Sequence, residues 1–338
     1  MTNKINGIGY NPSSLFSARD ILKIAKLLDF NQYVSSIWLP ESWGREAFVM
    51  LGAIAALTNR IKLGTSIVSM FSRTPATLAM GAATLDNISS NRAIIGIGAS
   101  TPVLAENWHG IKFEHPLDRM REYVTCFKII SSGETGNFNG RFFKIANIRL
   151  MHPSMRKQIP IFLGAVNTGM IKLATELTNG TILYLRSLED LKRTTKFIRS
   201  LLSRENTNFE ICSVFITAVS NKYPDLARSR AAQTLAFYAA IGKYYNEFLS
   251  SHGFVEEVKQ ITTEYQKNGF KHISKYVTDA MLDSLTIHGT VEKCTESLER
   301  FISSGISLPI LQVNPVKDNN QSINDSLLLI ENVQSSHS

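Results

Sequence analysis

The chain offers few side chains that can carry a proton or attack a carbon. Its 7 histidines show no HxH or HExxH spacing, so no metal centre is expected. Cys126, Cys212 and Cys294 lie far apart with no CxxC pair, which points to reduced thiols rather than a disulfide framework or a zinc site. No nucleophile elbow, Walker loop or pair of carboxylates can be read. What the chain does carry is stretches of small residues: Thr65-Ser66-Ile67, GIGAST at 96–101 and GAVNTG at 164–169. Glu41 is the one carboxylate expected near a strand end. A site rich in backbone amides and short of proton carriers suits a cofactor that performs the reaction itself. GAVNTG sits between a strand and a helix start, where amides and a positive helix end would attract a phosphate or carboxylate; an ordinary β-α turn uses the same residues. In GIGAST, Thr101 stands where a dinucleotide fingerprint needs its third glycine, so this is not a Rossmann turn.

Strands must hold these stretches. Residues 61–68 and 93–97 are short apolar runs rich in β-branched residues, which read as buried parallel strands. Between them, 75–88 is apolar at helical spacing, opened by Pro75 and closed by Asp86-Asn87 with Ser89, Ser90 and Asn91. The same alternation runs along the chain. A first strand at 5–9 is left by Tyr10-Asn11-Pro12 as a loop, and Ser17 caps a helix with Asp20 three residues on. A second strand at 34–39 precedes a helix at 46–59, apolar on most faces and so expected to be sandwiched. A short helix reaches Trp108, a longer one covers 116–130, and 133–151 reads as a β-hairpin turning tightly at Asn139-Gly140. Strands at 159–164, 180–185, 210–220 and 308–313 alternate with helices, Thr290 caps the helix before the last strand, and a helix at 321–333 closes the chain. Residues 224–282 are helical with breaks near Gly253 and Gly269, longer than a crossover needs.

Eight β-α steps predict an α/β fold, a TIM (β/α)8 barrel with a β-hairpin insertion and a helical insertion. The reading is one domain over 1–338, with insertions at about 133–151 and 246–285. A doubly wound sheet would want a linker and a glycine-rich dinucleotide turn, and neither is found. In a barrel the chemistry lies at the strands' carboxyl ends: Tyr10-Asn11, 40–42, 65–67, 98–101, 164–169, 184–186 and 312–314.

Composition narrows the partners. The 44% hydrophobic and 19% charged content is ordinary for a globular enzyme. The net charge of +8 is spread among acids, as in Glu189-Asp190-Leu191-Lys192-Arg193, and no nucleic-acid-reading motif appears. Residues 1–10 lack the apolar core of a signal peptide, and no run reaches membrane-spanning length. A cytoplasmic protein with a small-molecule substrate is expected.

Several segments together resemble the luciferase-like flavin and deazaflavin oxidoreductases, more closely the coenzyme F420 branch that includes methylenetetrahydromethanopterin reductase. They are IWLPESWGREAF (37–48), TNRIKLGTSIVSMFSRTPATLAMGAATLDNIS (58–89), RAIIGIG with WHG and PLDRMREYV (92–124), PIFLGAVNTGMIKLA (160–174) and IHGTVEKCTESLERFISSGISLPILQV (287–313). The resemblance implies a TIM barrel whose third strand ends in a bulge with a non-prolyl cis peptide, here Ser66-Ile67, behind the deazaflavin ring. It implies cofactor contacts at Gly64, Thr65, Ser66 and Ile67, at Gly98, Ala99, Ser100 and Thr101, and at Gly164, Ala165, Val166, Asn167, Thr168 and Gly169. The last group matches the family's site for the phosphate of the cofactor tail.

The chain also departs from that pattern. The family's F420-dependent sugar-phosphate dehydrogenases carry an Asp-His pair after the second strand and a glutamate after the fourth. Here those places hold Glu41-Ser42 and Thr101, so sugar-phosphate oxidation is disfavoured. Glu41 is a candidate catalytic proton donor or cofactor contact; a carboxylate stabilising a helix N-terminus is an equal reading. Trp43 and Trp108 are candidate pocket walls, with core packing favoured for Trp108, and Arg73 is expected to brace the bulge or another subunit. The resemblance implies hydride transfer between F420 and a small unsaturated or imine-like substrate, a pterin being one candidate, in a homodimer; the apolar helix 46–59 is a candidate contributor to its interface. An FMN-dependent monooxygenase and a non-catalytic cofactor carrier are the alternatives.

Overall fold

In the computed structural model, which describes residues 5–203 and 208–337, the chain forms a TIM barrel of eight parallel strands with helices between them. The strands are β1 (Ile8–Pro12), β2 (Val34–Leu39), β3 (Lys62–Thr65), β4 (Val68–Ser69), β5 (Ala93–Gly98), β6 (Gly136–Asn139), β7 (Lys144–Ile148), β8 (Ile161–Gly164), β9 (Gly180–Tyr184), β10 (Glu210–Val219), β11 (Thr286–Gly289) and β12 (Leu308–Val313). Strands β4 and β11 are extra, pairing with β5 and β10, and β6 and β7 form a separate antiparallel ribbon. The backbone clusters into two compact units, one from residues 17–182 and 201–210, the other from the rest. Among the described residues no helix is long and apolar enough to cross a membrane.

In the unit of residues 17–182, parallel pairing sets Leu39 beside Thr65, Gly64 beside Ile94 and Ile97 beside Leu163. Local signals start the helices. Ser17 and Asp20 complete a capping box, Thr74 caps the helix Pro75–Ile88, and Asn167 caps Thr168–Leu177. Trp38 is buried and stacks on Phe162 at 5.8 Å. A Cβ at Gly64 would stand 2.2 Å from the Trp38 ring, so glycine there lets the neighbouring strand approach.

Two expectations change in this unit. The hairpin does not turn on Asn139-Gly140; Asn139 pairs with Lys144, leaving the four-residue loop 140–143. The Glu122 carboxylate accepts from the backbone N–H groups of Arg141, Phe142 and Phe143, and so holds the wider loop. The helix Ala47–Leu57 is not sandwiched either. It buries Ala47, Leu51, Ile54 and Ala55 but leaves Val49 72% exposed. Only one face of a barrel helix meets the sheet, and a helix apolar all round therefore keeps an apolar outer face.

In the other unit the strand order is β11-β10-β12-β1. The first strand lies three residues later than the sequence reading placed it. Gly9 pairs with Ile310 and Asn11 with Gln312, so Tyr10-Asn11-Pro12 belong to the sheet and not to a loop. Gly7 adopts a φ of 109°, a conformation that turns the chain into the strand at the later position. The helical insertion breaks at Gly242 as well as near Gly253 and Gly269, giving the helices Pro224–Ile241, Lys243–Ser251, Val255–Asn268 and Asp279–Leu285. The last of these runs into β11, a strand the sequence reading did not separate. Ala231, Leu235 and Ala239 form a buried stripe that packs with Leu249, Val258, Ile261 and Met281.

Candidate functional site

The three small-residue stretches meet around one side chain. Strand β3 ends at Thr65, the Ser66-Ile67 peptide is cis as the resemblance implied, and the chain re-enters the sheet as β4. Hydrogen bonds pin this step on both sides. Ser66 N–H donates to the Leu39 carbonyl (2.8 Å), Glu41 N–H to the Ile67 carbonyl (3.2 Å), and Met70 N–H to the Gly98 carbonyl (3.0 Å). The Ile67 side chain rests on Gly98, where a Cβ would stand 2.6 Å from Ile67 Cδ1, and reaches Gly164, where a Cβ would stand 3.4 Å from Ile67 Cγ2. The carboxyl ends of β3, β5 and β8 thus share a ledge of backbone and one aliphatic side chain. Ser66, Ile67, Ala99, Ser100, Thr101, Gly164 and Val166 are half-buried around it. None of them is charged, and such a surface fits a flat ring bound through its face.

Other expected contacts lie beneath or beside this ledge. Gly64 is buried under Trp38, and the Thr65 hydroxyl exchanges two 2.8 Å bonds with the Gly96 backbone. Ala165 is buried and donates its N–H to the Ile182 carbonyl. Asn167 and Thr168 are exposed and Gly169 half-buried. The Asn167 side chain accepts from Met170 N–H at 3.0 Å, which caps the helix. The N–H groups of Thr168 and Gly169 fall in its first turn, where the helix supplies no acceptor. These two amides and the helix dipole are what this end presents to an anion. Ser100 takes a positive φ of 63° between β5 and the π-helical turn Leu104–Trp108.

Glu41 sits at one edge of the step and is thoroughly engaged. Arg73 grips both of its carboxylate oxygens, with Nη2 2.7 Å from Oε2, and also bonds Glu46. Ala47 N–H, at the start of the following helix, donates to Glu41 Oε2 at 2.9 Å. The Tyr123 hydroxyl donates to the Arg73 carbonyl at 3.1 Å. Burial by itself would raise the Glu41 carboxyl, but the hydrogen bond from Arg73, the Ala47 amide and the Arg73 charge outweigh it and hold the group below the usual carboxylate range. Both the helix-end reading of Glu41 and the bracing expected of Arg73 describe this geometry; the sequence held no sign that the two residues meet.

The expected core role of Trp108 fails. It is 61% exposed, because the wide π turn buries Ala105 and swings the indole outward. Trp43 is also exposed. Burial pushes the Cys126 thiol up to about 11 and the Cys294 thiol to about 12, so neither is a thiolate near neutrality. The sequence reading also missed the supporting residues Leu39, Met70 and Tyr123. Their roles run through backbone groups or through a buried hydroxyl, which residue type does not signal.

A model of the luciferase-like monooxygenase family matches residues 2–308. The chain is 29% identical over 279 residues to the 5,10-methylenetetrahydromethanopterin reductase of Archaeoglobus fulgidus, covering 80% of this chain and 82% of that one. It superposes with a TM-score of 0.85, at 20% identity and over 99% and 100% of the two chains, on the coenzyme F420 dependent tetrahydromethanopterin reductase of Methanopyrus kandleri. An F420-dependent secondary alcohol dehydrogenase in complex with an F420-acetone adduct superposes at 0.79, with 18% identity over 98% and 99%. With the family model spanning nearly the whole barrel, this chain belongs to the luciferase-like monooxygenase family of enzymes.

Proposed function

We propose that this enzyme is a coenzyme F420-dependent oxidoreductase acting on a small unsaturated or imine-like substrate. What carries the reading is the uncharged ledge of Ile67 on Gly98 and Gly164, in a chain whose relatives include a protein named as a putative coenzyme F420-dependent oxidoreductase, 26% identical over 310 residues. When bound, the deazaflavin supplies the hydride chemistry, which is why the site needs so few acid-base groups. The protein's part is positioning. Ile67 and the backbone of Ser66 support one face of the ring. The Thr168 and Gly169 amides hold the phosphate of the tail, and Ala99 to Thr101 close the edge. Glu41, ionised and clamped by Arg73, keeps the step in place and does not donate a proton.

Gly98→Val tests the ledge, since its Cβ must displace the end of Ile67. F420 fluorescence titration is expected to show affinity lowered at least about tenfold, the equivalent of ~1.4 kcal/mol, with the melting transition retained. Equal binding by the variant, or tighter binding of FMN than of F420 by the unaltered enzyme, would count against the assignment. Turnover is read from the deazaflavin absorbance change with candidate substrates.

The enzyme is further proposed to form a homodimer through the outer faces of the helices Ala47–Leu57 and Pro75–Ile88. Val49, Leu57, Met80 and Ile88 are exposed there, and a Cβ at Gly81 would stand 3.3 Å from Phe48. Gly52, Ala53, Ala76 and Gly81 keep the surface low enough for a second pair of helices to approach. Light scattering is expected to give twice the mass of one chain, and Val49→Glu/Met80→Glu to give the monomer. A monomeric parent protein would end this reading.

A further inference from the structure

Strand β1 and the residue that follows it carry two buried polar side chains whose oxygens have no partner among the described residues. Asn11 is 3% exposed and Ser13 2%, and neither Asn11 Oδ1 nor Ser13 Oγ has a hydrogen-bond partner among the described residues. An unmet buried polar atom costs about 1–3 kcal/mol, so an orphaned pair on one strand end is a feature to be explained.

Alternation along the strand sets where these groups point. Tyr10 directs its hydroxyl to Ser326 Oγ (3.1 Å) in the helix Asn319–His337. Asn11 therefore faces the opposite side of the sheet, and so does Ser13, whose N–H continues the ladder to the Val313 carbonyl. Asn11 is paired in register with Gln312. Gln312 Oε1 accepts from the Tyr184 hydroxyl at 2.6 Å, and its Nε2 lies 3.4 Å from the Tyr238 oxygen. Tyr184 meets Tyr238 and Tyr245 edge-on, with centroids 5.0 and 5.7 Å apart. Thr234, one helical turn before Tyr238, lies 3.4 Å from Asn314 Oδ1, and Arg230 donates to the Pro315 carbonyl. The helix Pro224–Ile241 thus lies along the carboxyl end of β12. Burial raises the Tyr184 phenol well above its usual value, so it stays a neutral donor.

We infer that Asn11, with Ser13 and Gln312 beside it, is a binding and specificity-determining site for the edge of a neutral, planar substrate bearing an amide or lactam N–H. The orphan Oδ1 is an acceptor that lacks a donor, and the ligand's N–H supplies it. The side chains that continue from it, Gln312, Tyr184, Tyr238 and Tyr245, bear no charge and offer an ionic ligand no counter-ion, and the tyrosine rings are apolar surfaces for a flat molecule. Rejection of compounds lacking the N–H follows, because they would leave the acceptor buried and unmet. This deepens the proposed function and rests on it in taking the ligand as substrate, but the binding itself needs no cofactor.

The test compares benzamide with N,N-dimethylbenzamide, which has the same ring and no N–H, by ligand-observed NMR titration without F420. Benzamide is expected to bind at least about tenfold more tightly, with Asn11→Leu bringing the ratio to near one. Ser13→Ala keeps the assay usable where Asn11→Leu fails to fold, and is expected to lower benzamide affinity about threefold or more. Equal binding of the two amides, binding of neither, or an unchanged ratio in Asn11→Leu overturns the inference; in the last case Asn11 merely holds a water. Because F420 titration is separate, a chain that discriminates the amides and does not bind F420 refutes the cofactor assignment and leaves this site standing.

Discussion

Asp190→Ala is expected to lower the unfolding free energy by about 3–5 kcal/mol, the usual cost of stranding a buried charge. Arg186, in the loop after β9, and Asp190, in the first turn of the helix Leu188–Leu201, are both almost wholly buried and joined at 2.5 Å between Nη1 and Oδ2. Asp190 also lies 2.9 Å from His252 Nε2, and the Arg186 guanidinium sits 4.7 Å over the Phe248 ring. One carboxylate therefore ties the loop after β9 to the helix Lys243–Ser251, and its removal leaves Arg186 buried beside an aromatic face. Replacing both partners by apolar residues, Arg186→Met with Asp190→Leu, is expected to cost much less, because no charge is then left behind. Urea unfolding followed by circular dichroism measures both. A loss below about 1 kcal/mol for Asp190→Ala would show that water reaches Arg186 freely.

The same pair sets a pH dependence. Burial alone would raise the Asp190 carboxyl, but the Arg186 charge and hydrogen bond, followed by His252, hold it below its ordinary 3.8. A lowered carboxylate contributes stability that is complete above 3.8 and is lost as the pH falls through the folded value. Asp190→Asn should therefore flatten the acid limb of the stability curve below that pH and leave the limb above it parallel to the parent.

The second large effect is expected at the step after β3. Arg73→Ala removes the clamp on Glu41, a carboxylate with 11% of its side chain exposed, and should cost ~2–4 kcal/mol, less than a fully dry pair because Arg73 keeps 13% exposure. Since the Glu41 amide holds the Ile67 carbonyl, the variant should also weaken F420 binding by about tenfold. Glu41→Gln separates positioning from chemistry. A proton donor would lose roughly 10²–10⁴ in kcat, whereas a positioning carboxylate, replaced by an amide that still accepts from Ala47, should change kcat only a few-fold and leave its pH profile unshifted. The lowered carboxyl favours the second outcome.

Features decided within a turn of chain were legible beforehand. The Ser17–Asp20 capping box, Thr74 with Pro75, the Thr290 cap and strand β12 are where residue type and period place them. So is the β-α-β unit around Thr65 and Gly98, with its small-residue strand ends. The offset of β1 was not, because Gly9 to Pro12 are set by pairing with a strand some 300 positions away in sequence. Nor was the hairpin loop, which answers to Glu122 in another helix.

Residue types and their periods determined the barrel, the shortage of proton carriers and the small-residue stretches at the strand ends. Tertiary structure decided which of those groups are already spoken for: Glu41 by Arg73, Thr65 by Gly96, Gln312 by Tyr184, and Asn11 by none of the described residues. The reason is range. Hydrophobic periodicity and caps act over three or four residues, while a buried polar side chain is satisfied or stranded by segments that only the closed fold brings within 3 Å.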